Sequence, residues 1–447
     1  MKLIFRIIYP VYRLSSALRY RAERRFTPAG LAVLGGLILS AMMGVDTDNA
    51  VTYQAFVLLL CLVLVALGGS GYFRARCAPT RRLPRFGTVG NPLTYSITVR
   101  NLTARPQRGL TLLEDLADPR PSFPEWLALQ RAEERRARSF RFSQRRPPPA
   151  RRALVKEASL PPILPRGSAE ARIELTPLRR GVLRFAGMTL ARSDPLGLVR
   201  AFVKVPLPQS LLVLPKRYPL PPIALPGTMK YQQGGVALAA NVGRSEEFVA
   251  LRDYREGDPL RHIHWRSWAM VGKPVVKEFE DEFFVRHALV LDTFTDHPQS
   301  EIFEEAVAVA ASFACTLETQ ESLLDLLFVG PQAYCFTAGR GLAHADQMLE
   351  ILASVRICHE QPFAELAHLL LQHVNVVSGC ICVLLDWDEE RRRLVAKLNA
   401  LGVPVLTLVI VEPGQDKKLL PGPAADELGR FQVLEAGKIE AGLAKLV

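Results

Sequence analysis

No stretch of these 447 residues has the spacing of a phosphate-binding loop, a nucleophile elbow or a zinc site. Work driven by a nucleotide would have to be supplied by a partner. No internal repeat is evident, which sets aside solenoids and propellers. Cysteine is scarce and odd in number. The seven residues Cys61, Cys77, Cys315, Cys335, Cys358, Cys380 and Cys382 are dispersed, which argues against a disulfide framework and fits a reducing compartment. Acids are in deficit, 44 Asp and Glu against 56 Lys and Arg, for a net charge of +12. The pI of about 9.5 suggests anionic partners such as lipid headgroups or nucleic acid. No nucleic-acid motif accompanies the charge, so nucleic acid is not an expected partner.

Hydrophobic residues make up 49% of the chain, and the mean hydropathy of +0.12 is high for a soluble protein. The excess lies near the N-terminus. Residues 28–45 (PAGLAVLGGLILSAMMGV) and 51–73 (VTYQAFVLLLCLVLVALGGSGYF) carry no charge. Each approaches the roughly 20 apolar residues that cross a bilayer core. Only Asp46-Thr47-Asp48-Asn49-Ala50 separates them, so a tight two-helix transmembrane hairpin is expected. Lys2, Arg6, Arg13, Arg19, Arg21, Arg24 and Arg25 precede the first run. Arg74, Arg76, Arg81, Arg82 and Arg85 follow the second, and the connecting loop has no base. This bias places both termini in the cytoplasm. A cleaved signal peptide ending near Leu39-Ser40-Ala41 fits less well, because the charged lead is long and a second apolar run follows at once. The lead mixes apolar and basic residues, as an interfacial helix on the inner leaflet would.

Between about Leu83 and Leu214 the pattern is one of short alternating strands. Residues 93–101 (LTYSITVRN), 171–175 (ARIEL) and 180–185 (RGVLRF) have period two, and Ser193-Asp194-Pro195-Leu196-Gly197-Leu198 has turn chemistry. A β-sandwich is expected, of immunoglobulin-like type. An insert at about 122–160 interrupts it. Here Arg131, Arg135, Arg136, Arg138, Arg141, Arg145, Arg146, Arg151 and Arg152 are interleaved with Phe140, Phe142 and Pro147-Pro148-Pro149. A solvated loop is the plain reading. The functional one is contact of Arg135, Arg136, Arg138, Arg141 and Arg145 with anionic lipid, where each base is worth on the order of 1 kcal/mol.

Residues 245–280 (SEEFVALRDYREGDPLRHIHWRSWAMVGKPVVKEFE) concentrate acids, bases, His262, His264, Trp265 and Trp268 in one short segment. Arginine forks fit carboxylates, so an ion-pair knot is expected. The order Gly243-Arg244-Ser245-Glu246-Glu247-Phe248, Leu251-Arg252-Asp253-Tyr254, Gly257-Asp258, Arg261-His262-Ile263-His264-Trp265-Arg266-Ser267 and Lys277-Glu278-Phe279-Glu280 closely resembles the domain of unknown function 58 family. Departures are His264, where the family usually has Asp, and Met270, where it usually has Arg. The resemblance implies a bacterial protein anchored in the inner membrane and encoded beside a MoxR-type AAA+ ATPase. It carries Ser245, Glu246, Glu247, Arg252, Tyr254, Gly257, Asp258, Arg261, His264 and Trp265 as structural or interaction residues.

After Arg286 the rhythm changes. Residues 287–292, 323–329, 380–385 and 403–411 are nearly continuous apolar strands, with helical stretches at about 299–318, 343–355, 363–374 and 389–400. Buried strands alternating with helices mean a doubly wound, mostly parallel sheet. The resemblance makes this a von Willebrand factor A-like domain. Such domains hold a divalent ion on an Asp-x-Ser-x-Ser loop. This chain has Asp292-Thr293-Phe294-Thr295-Asp296, with Thr337 and Asp386 as the distal positions. Phe294 cannot ligate, so the site is degenerate, magnesium remains only an option, and weak or absent binding is expected. Asp292 capping the following turn is the plain alternative. Cys380 and Cys382 share a strand face as small hydrophobes.

The expected organisation is a basic cytoplasmic lead (1–27), a transmembrane hairpin (28–73), a β-sandwich (79–215), the signature segment (216–285) and the A-like domain (286–447). The function implied is a non-enzymatic adaptor or assembly factor working with a MoxR-type ATPase, in contact with the membrane and with other membrane or periplasm-related proteins. The alternative is a metal-dependent hydrolase built on His262, His264 and neighbouring acids. Each of these histidines lies beside an arginine or a tryptophan, which favours packing.

Overall fold

A computed structural model of the chain describes residues 2–43, 50–71, 73–117, 123, 126–127, 151–221, 248–256, 258, 260, 263–279, 285–295, 300–316, 322–338, 342–414 and 431–446. They fall into two units, Met1–Leu214 and Pro215–Val447.

The first unit begins with three helices, α1 (Lys2–Arg25), α2 (Pro28–Met43) and α3 (Ala50–Gly71). The two apolar runs differ in length over the described residues. Val51–Gly71 is long and apolar enough to cross a membrane, whereas α2 is a shorter apolar helix of 16 residues. The two pack against each other. Thr27 starts α2: its Oγ1 accepts the Gly30 N–H (3.1 Å), and Pro28 takes the first helical position, where a missing N–H costs nothing. The same hydroxyl donates to the Gly197 carbonyl at 2.6 Å. A Cβ on Gly30 would fall 2.0 Å from the Leu198 carbonyl oxygen, so only glycine lets α2 start against this loop. Helix α1 is tied down by Arg24, whose Nη1 donates to Asp115 at 2.6 Å, and by Tyr9 and Tyr12 against Trp126.

Nine strands follow: β1 (Cys77–Arg82), β2 (Phe86–Thr88), β3 (Leu93–Asn101), β4 (Leu110–Leu116), β5 (Ala153–Val155), β6 (Ala158–Ser159), β7 (Ser168–Pro177), β8 (Gly181–Ser193) and β9 (Arg200–Leu214). They form one sheet of order β1-β3-β7-β5 and another of order β2-β9-β8-β4-β6. Inward residues of both, among them Ile97, Ile173 and Leu175 from the first and Leu112, Met188, Leu190 and Leu211 from the second, share one apolar core. The expected β-sandwich corresponds to these two layers. Period two also carries charge inward. In β1 it buries Cys77, Pro79 and Arg81, and in β4 it buries Leu110, Leu112 and Glu114. Arg81 and Glu114 pair through two bonds, Nε to Oε1 (3.0 Å) and Nη2 to Oε2 (2.6 Å), with neither side chain exposed. Tyr95 donates its hydroxyl to Glu114 (2.9 Å), Arg81 also donates to the Leu207 and Gly187 carbonyls, and its guanidinium lies 4.5 Å over the Phe185 ring. Burial pushes the Glu114 carboxyl above its ordinary range, against the pull of Arg81 and Tyr95.

In the second unit, β10 (Phe248–Asp253) and β11 (Val275–Phe279) make an antiparallel ribbon that brackets the short helix α4 (Trp265–Val271). A six-stranded sheet follows in the order β14-β13-β12-β15-β16-β17. Its strands are β12 (Val285–Leu291), β13 (Ser322–Val329), β14 (Ala333–Ala338), β15 (Gly379–Leu384), β16 (Val405–Val411) and β17 (Phe431–Glu435). All pairings are parallel except that of the edge strand β14 with β13. Helices α5 (Glu301–Thr316), α6 (Leu342–Ser354), α7 (Ala364–His373), α8 (Glu389–Ala400) and α9 (Ile439–Leu443) connect or flank the strands. β15 and β16 are buried along their whole length, as strands covered on both faces must be. Cys380 and Cys382 lie together inside β15, with sulfurs 3.6 Å apart and both thiols free. Ahead of the ribbon, Tyr218 is pinned to α5: Ser312 Oγ accepts its N–H (2.7 Å), and its hydroxyl donates to Glu305.

Breaking a buried pair strands the other charge, at about 3–5 kcal/mol. Arg81→Met is expected to destabilise the protein by about that amount, read as a lowered midpoint in chemical denaturation. Adding Glu114→Leu is expected to recover most of the loss, because both charges are then gone.

Candidate functional site

In an open parallel sheet, ligands bind beyond the carboxyl ends of the strands, where the strand order reverses. Here that point lies between β12 and β15, since the chain moves from β12 to β13 on one side and returns to β15 on the other. Asp292 follows β12 immediately and is fully buried. Its Oδ1 accepts the Phe294 N–H (2.9 Å), and its Oδ2 accepts the Leu385 N–H (3.0 Å) and Arg391 Nε (2.7 Å). Arg391 comes from α8. Its Nη1 donates to Asp388, the residue that caps α8, its Nη2 donates to the Phe294 carbonyl (3.3 Å), and its guanidinium lies 4.7 Å from the Phe363 ring centre. Burial pushes the Asp292 carboxyl up, and Arg391 opposes it. Burial also works against the charge on Arg391, but Asp292 and Asp388 outweigh it and hold the guanidinium firmly protonated.

The described residues of this loop do not fit a divalent ion, and Asp296 lies outside them. Such an ion takes six or more hard oxygens, and the positive charge beside Asp292 is already supplied by Arg391. Phe294 packs edge-on against Phe363, with ring centres 5.6 Å apart. Asp386 is exposed, and its Oδ1 accepts its neighbour's Trp387 N–H (2.7 Å). Thr337 lies elsewhere: it pairs with Asp325 in the ladder and donates to its carboxylate at 2.6 Å. Asp292's neighbour Thr293 reaches the Val329 carbonyl. Asp325 and Val329 are four residues apart on β13, so Thr337 is about 13 Å down the strand. Arg286 closes a second internal pair with Asp325, through Nε (2.6 Å) and Nη2 (3.0 Å). Among the described residues no group of three His, Cys, Asp or Glu could hold a metal ion.

The signature segment supplies a different arrangement. Arg252, on β10, makes two bonds to Asp258, 2.7 Å and 2.8 Å, and the Arg255 N–H adds a third at 2.9 Å. These bonds, with Arg252 first, hold the Asp258 carboxyl down at about 2. The pair is half-open, with Arg252 30% and Asp258 16% exposed. The Tyr254 N–H donates to Pro274 (3.0 Å), and the His264 N–H to Val275 (2.8 Å), so the ribbon and α4 are one hydrogen-bonded unit. His264 Nδ1 is bonded to Ser267 Oγ (2.7 Å), and Trp265 stacks on Trp268 with ring centres 5.2 Å apart. Ser245, Glu246, Glu247, Gly257, Arg261 and His262 lie outside the described residues, as do Arg135, Arg136, Arg138, Arg141 and Arg145.

Residues 250–422 match the family described as "Protein of unknown function DUF58". That stretch contains Arg252, Asp258, Asp292 and Arg391. The chain is also 26% identical over 198 residues to "Uncharacterized protein YeaD" of Bacillus subtilis (strain 168). The match covers 43% of this chain and 48% of that protein, so it spans about half the length of the curated relative. Among solved structures, a GH20 exo β-N-acetylglucosaminidase from Vibrio harveyi aligns over 76% of this chain and 57% of its own, at 9% identity and a TM-score of 0.13. Its inactive mutant gives the same values. That score is too low to relate the folds.

Arg391 was missed because residues 389–393 (EERRR) look like a solvated helix end. The missed signal is its spacing. Arg391, Leu394, Val395 and Leu398 stand at i, i+3, i+4 and i+7, the buried face of α8.

Magnesium is expected to leave the melting temperature of the purified chain unchanged, and titration calorimetry is expected to show no micromolar binding. Arg391→Ala leaves Asp292 buried alone and should cost about 3–5 kcal/mol by denaturant titration. For Asp258, the folded carboxyl titrates at about 2 against an ordinary 3.8. Its contribution to stability is therefore full above about pH 4 and is lost as pH falls toward 2. Acid unfolding curves of wild type and Asp258→Asn should converge across that window.

Proposed function

We propose that the chain is a membrane-anchored adaptor or assembly factor that binds other proteins and performs no chemistry of its own. The observation that carries this reading is the internal closure of Asp292 by Arg391, Leu385 and Phe294. Asp292, the acid at the switch point of the sheet, where such folds usually keep their reactive groups, is therefore not offered to a substrate. His264, half of the hydrolase alternative, has its Nδ1 bonded to Ser267. In strand order of appearance the sheet reads 3-2-1-4-5-6 with an antiparallel third strand, which supports a von Willebrand factor A-like domain used for protein contact. The match of residues 250–422 to the family supports the implied partner, a MoxR-type AAA+ ATPase that would supply the nucleotide-driven step.

The anchor in this reading is a hairpin of α2 and α3 with both termini in the cytoplasm of a bacterial cell. Helix α3 is of spanning length, α2 packs on it, and bases flank the pair on both sides. Reporter fusions at Asp48 and at the C-terminus test the topology. Periplasmic activity is expected only at Asp48, and a periplasmic C-terminus refutes the arrangement. Affinity capture of the full chain from membranes, read by mass spectrometry, is expected to enrich an AAA+ ATPase. Capture that yields no ATPase while the chain turns over a hydrolase substrate would reverse the assignment.

A further inference from the structure

Helix α4 has an unusual exposure. None of its seven residues, Trp265–Val271, is buried. Trp265 is 64% exposed, Met270 80% and Val271 63%, and Leu260, just ahead of the helix, is 68% exposed. A single isolated helical turn or two is not stable by itself in water. This one is held from below, where Ile263 is buried and bridges to Val276, and from behind, where the Gly272 N–H closes on Trp268 in the left-handed conformation that glycine favours. The ribbon thus presents an apolar knuckle outward rather than packing it inward.

Along the chain, the stretch that carries the knuckle has bases and no acid, while Asp253 and Asp258 belong to the ribbon behind it, Asp258 being paired with Arg252. No acid occurs between Pro259 and Lys277, whereas Arg266 and Lys273 are exposed on and just after the helix. Tryptophans at the tip, aliphatic residues beside them and bases at the rim are the composition of an interfacial membrane site. Apolar side chains enter the acyl boundary, indole rings sit at headgroup level, and each base near an anionic surface adds on the order of 1 kcal/mol. A protein partner would meet the same apolar residues, but it would not by itself require a stretch free of acids.

We infer that α4 is a lipid-contact site that inserts Trp265, Met270 and Val271 into the surface of an anionic bilayer, with Arg266 and Lys273 on the headgroups. The inference rests on the membrane anchoring proposed above, because a tethered chain keeps the knuckle at high effective concentration near a bilayer. It assigns the Trp265–Trp268 stack a role outside the ion-pair network of Arg252 and Asp258.

The test uses the full chain reconstituted into vesicles of brominated phosphatidylcholine with or without phosphatidylglycerol. Bromine quenches tryptophan fluorescence only at contact. The chain has four tryptophans, and the other two, Trp126 and Trp387, are buried. Quenching is expected to rise when phosphatidylglycerol is present. The Trp265→Phe/Trp268→Phe variant, which keeps the knuckle apolar, should lose most of that increment. Arg266→Gln/Lys273→Gln keeps the tryptophans and should lose it as well. Equal increments in wild type and both variants overturn the inference. So does a photo-crosslinker in place of Met270 that captures protein and no lipid. Retention of the chain in the vesicles is scored separately. A chain that is not retained refutes the anchor, whereas a retained chain without the increment refutes only the lipid site.

Discussion

The parallel sheet of the second unit is closed at its carboxyl end by one ion pair, Asp292 with Arg391. Much else depends on it. The carboxylate also orders the turn after β12 through Phe294 and the turn after β15 through Leu385, so two loops meet on one side chain. The guanidinium in turn joins the cap of α8 at Asp388 to the face of Phe363 ahead of α7. A buried acid without such a partner would be neutral or destabilising. With it, the buried carboxyl has an opposite charge and two backbone N–H groups at hand.

The first unit uses the same device in another setting. Arg81 and Glu114 face each other from opposite sheets, and Tyr95 completes the carboxylate's bonding. An apolar replacement of both groups would keep the layers together. What the pair adds is direction, because a bidentate fork accepts only one placement of β1 across the core from β4. Asp325 with Arg286 repeats the arrangement between β12 and β13. Each unit therefore carries its charges inward, in pairs, at places where strands must not slip.

This placement bears on function. Charges locked in pairs at the carboxyl end of the sheet are not free to bind substrate or transfer protons. What the second unit offers to the outside is surface: the half-open Arg252–Asp258 pair and the apolar knuckle of α4. Such surfaces are of the kind that recognition uses.

Residue patterns alone were enough for the apolar helices, the alternating strands of the sandwich and the strand–helix rhythm after Arg286, because burial imposes periods of 2 and 3.6 on the sequence. They were not enough for the contacts that fix the start of α2, the Thr27 cap and the close approach of Gly30 to Leu198. The short strands β14 and β17 escaped as well, since edge strands are read only through their neighbours. The identity of the partners inside was invisible for one reason. Arg391 and Asp292 are 99 residues apart, and Arg81 and Glu114 are 33 apart. Periodicity says that a charged residue faces inward, and only the packed chain says which opposite charge is waiting there.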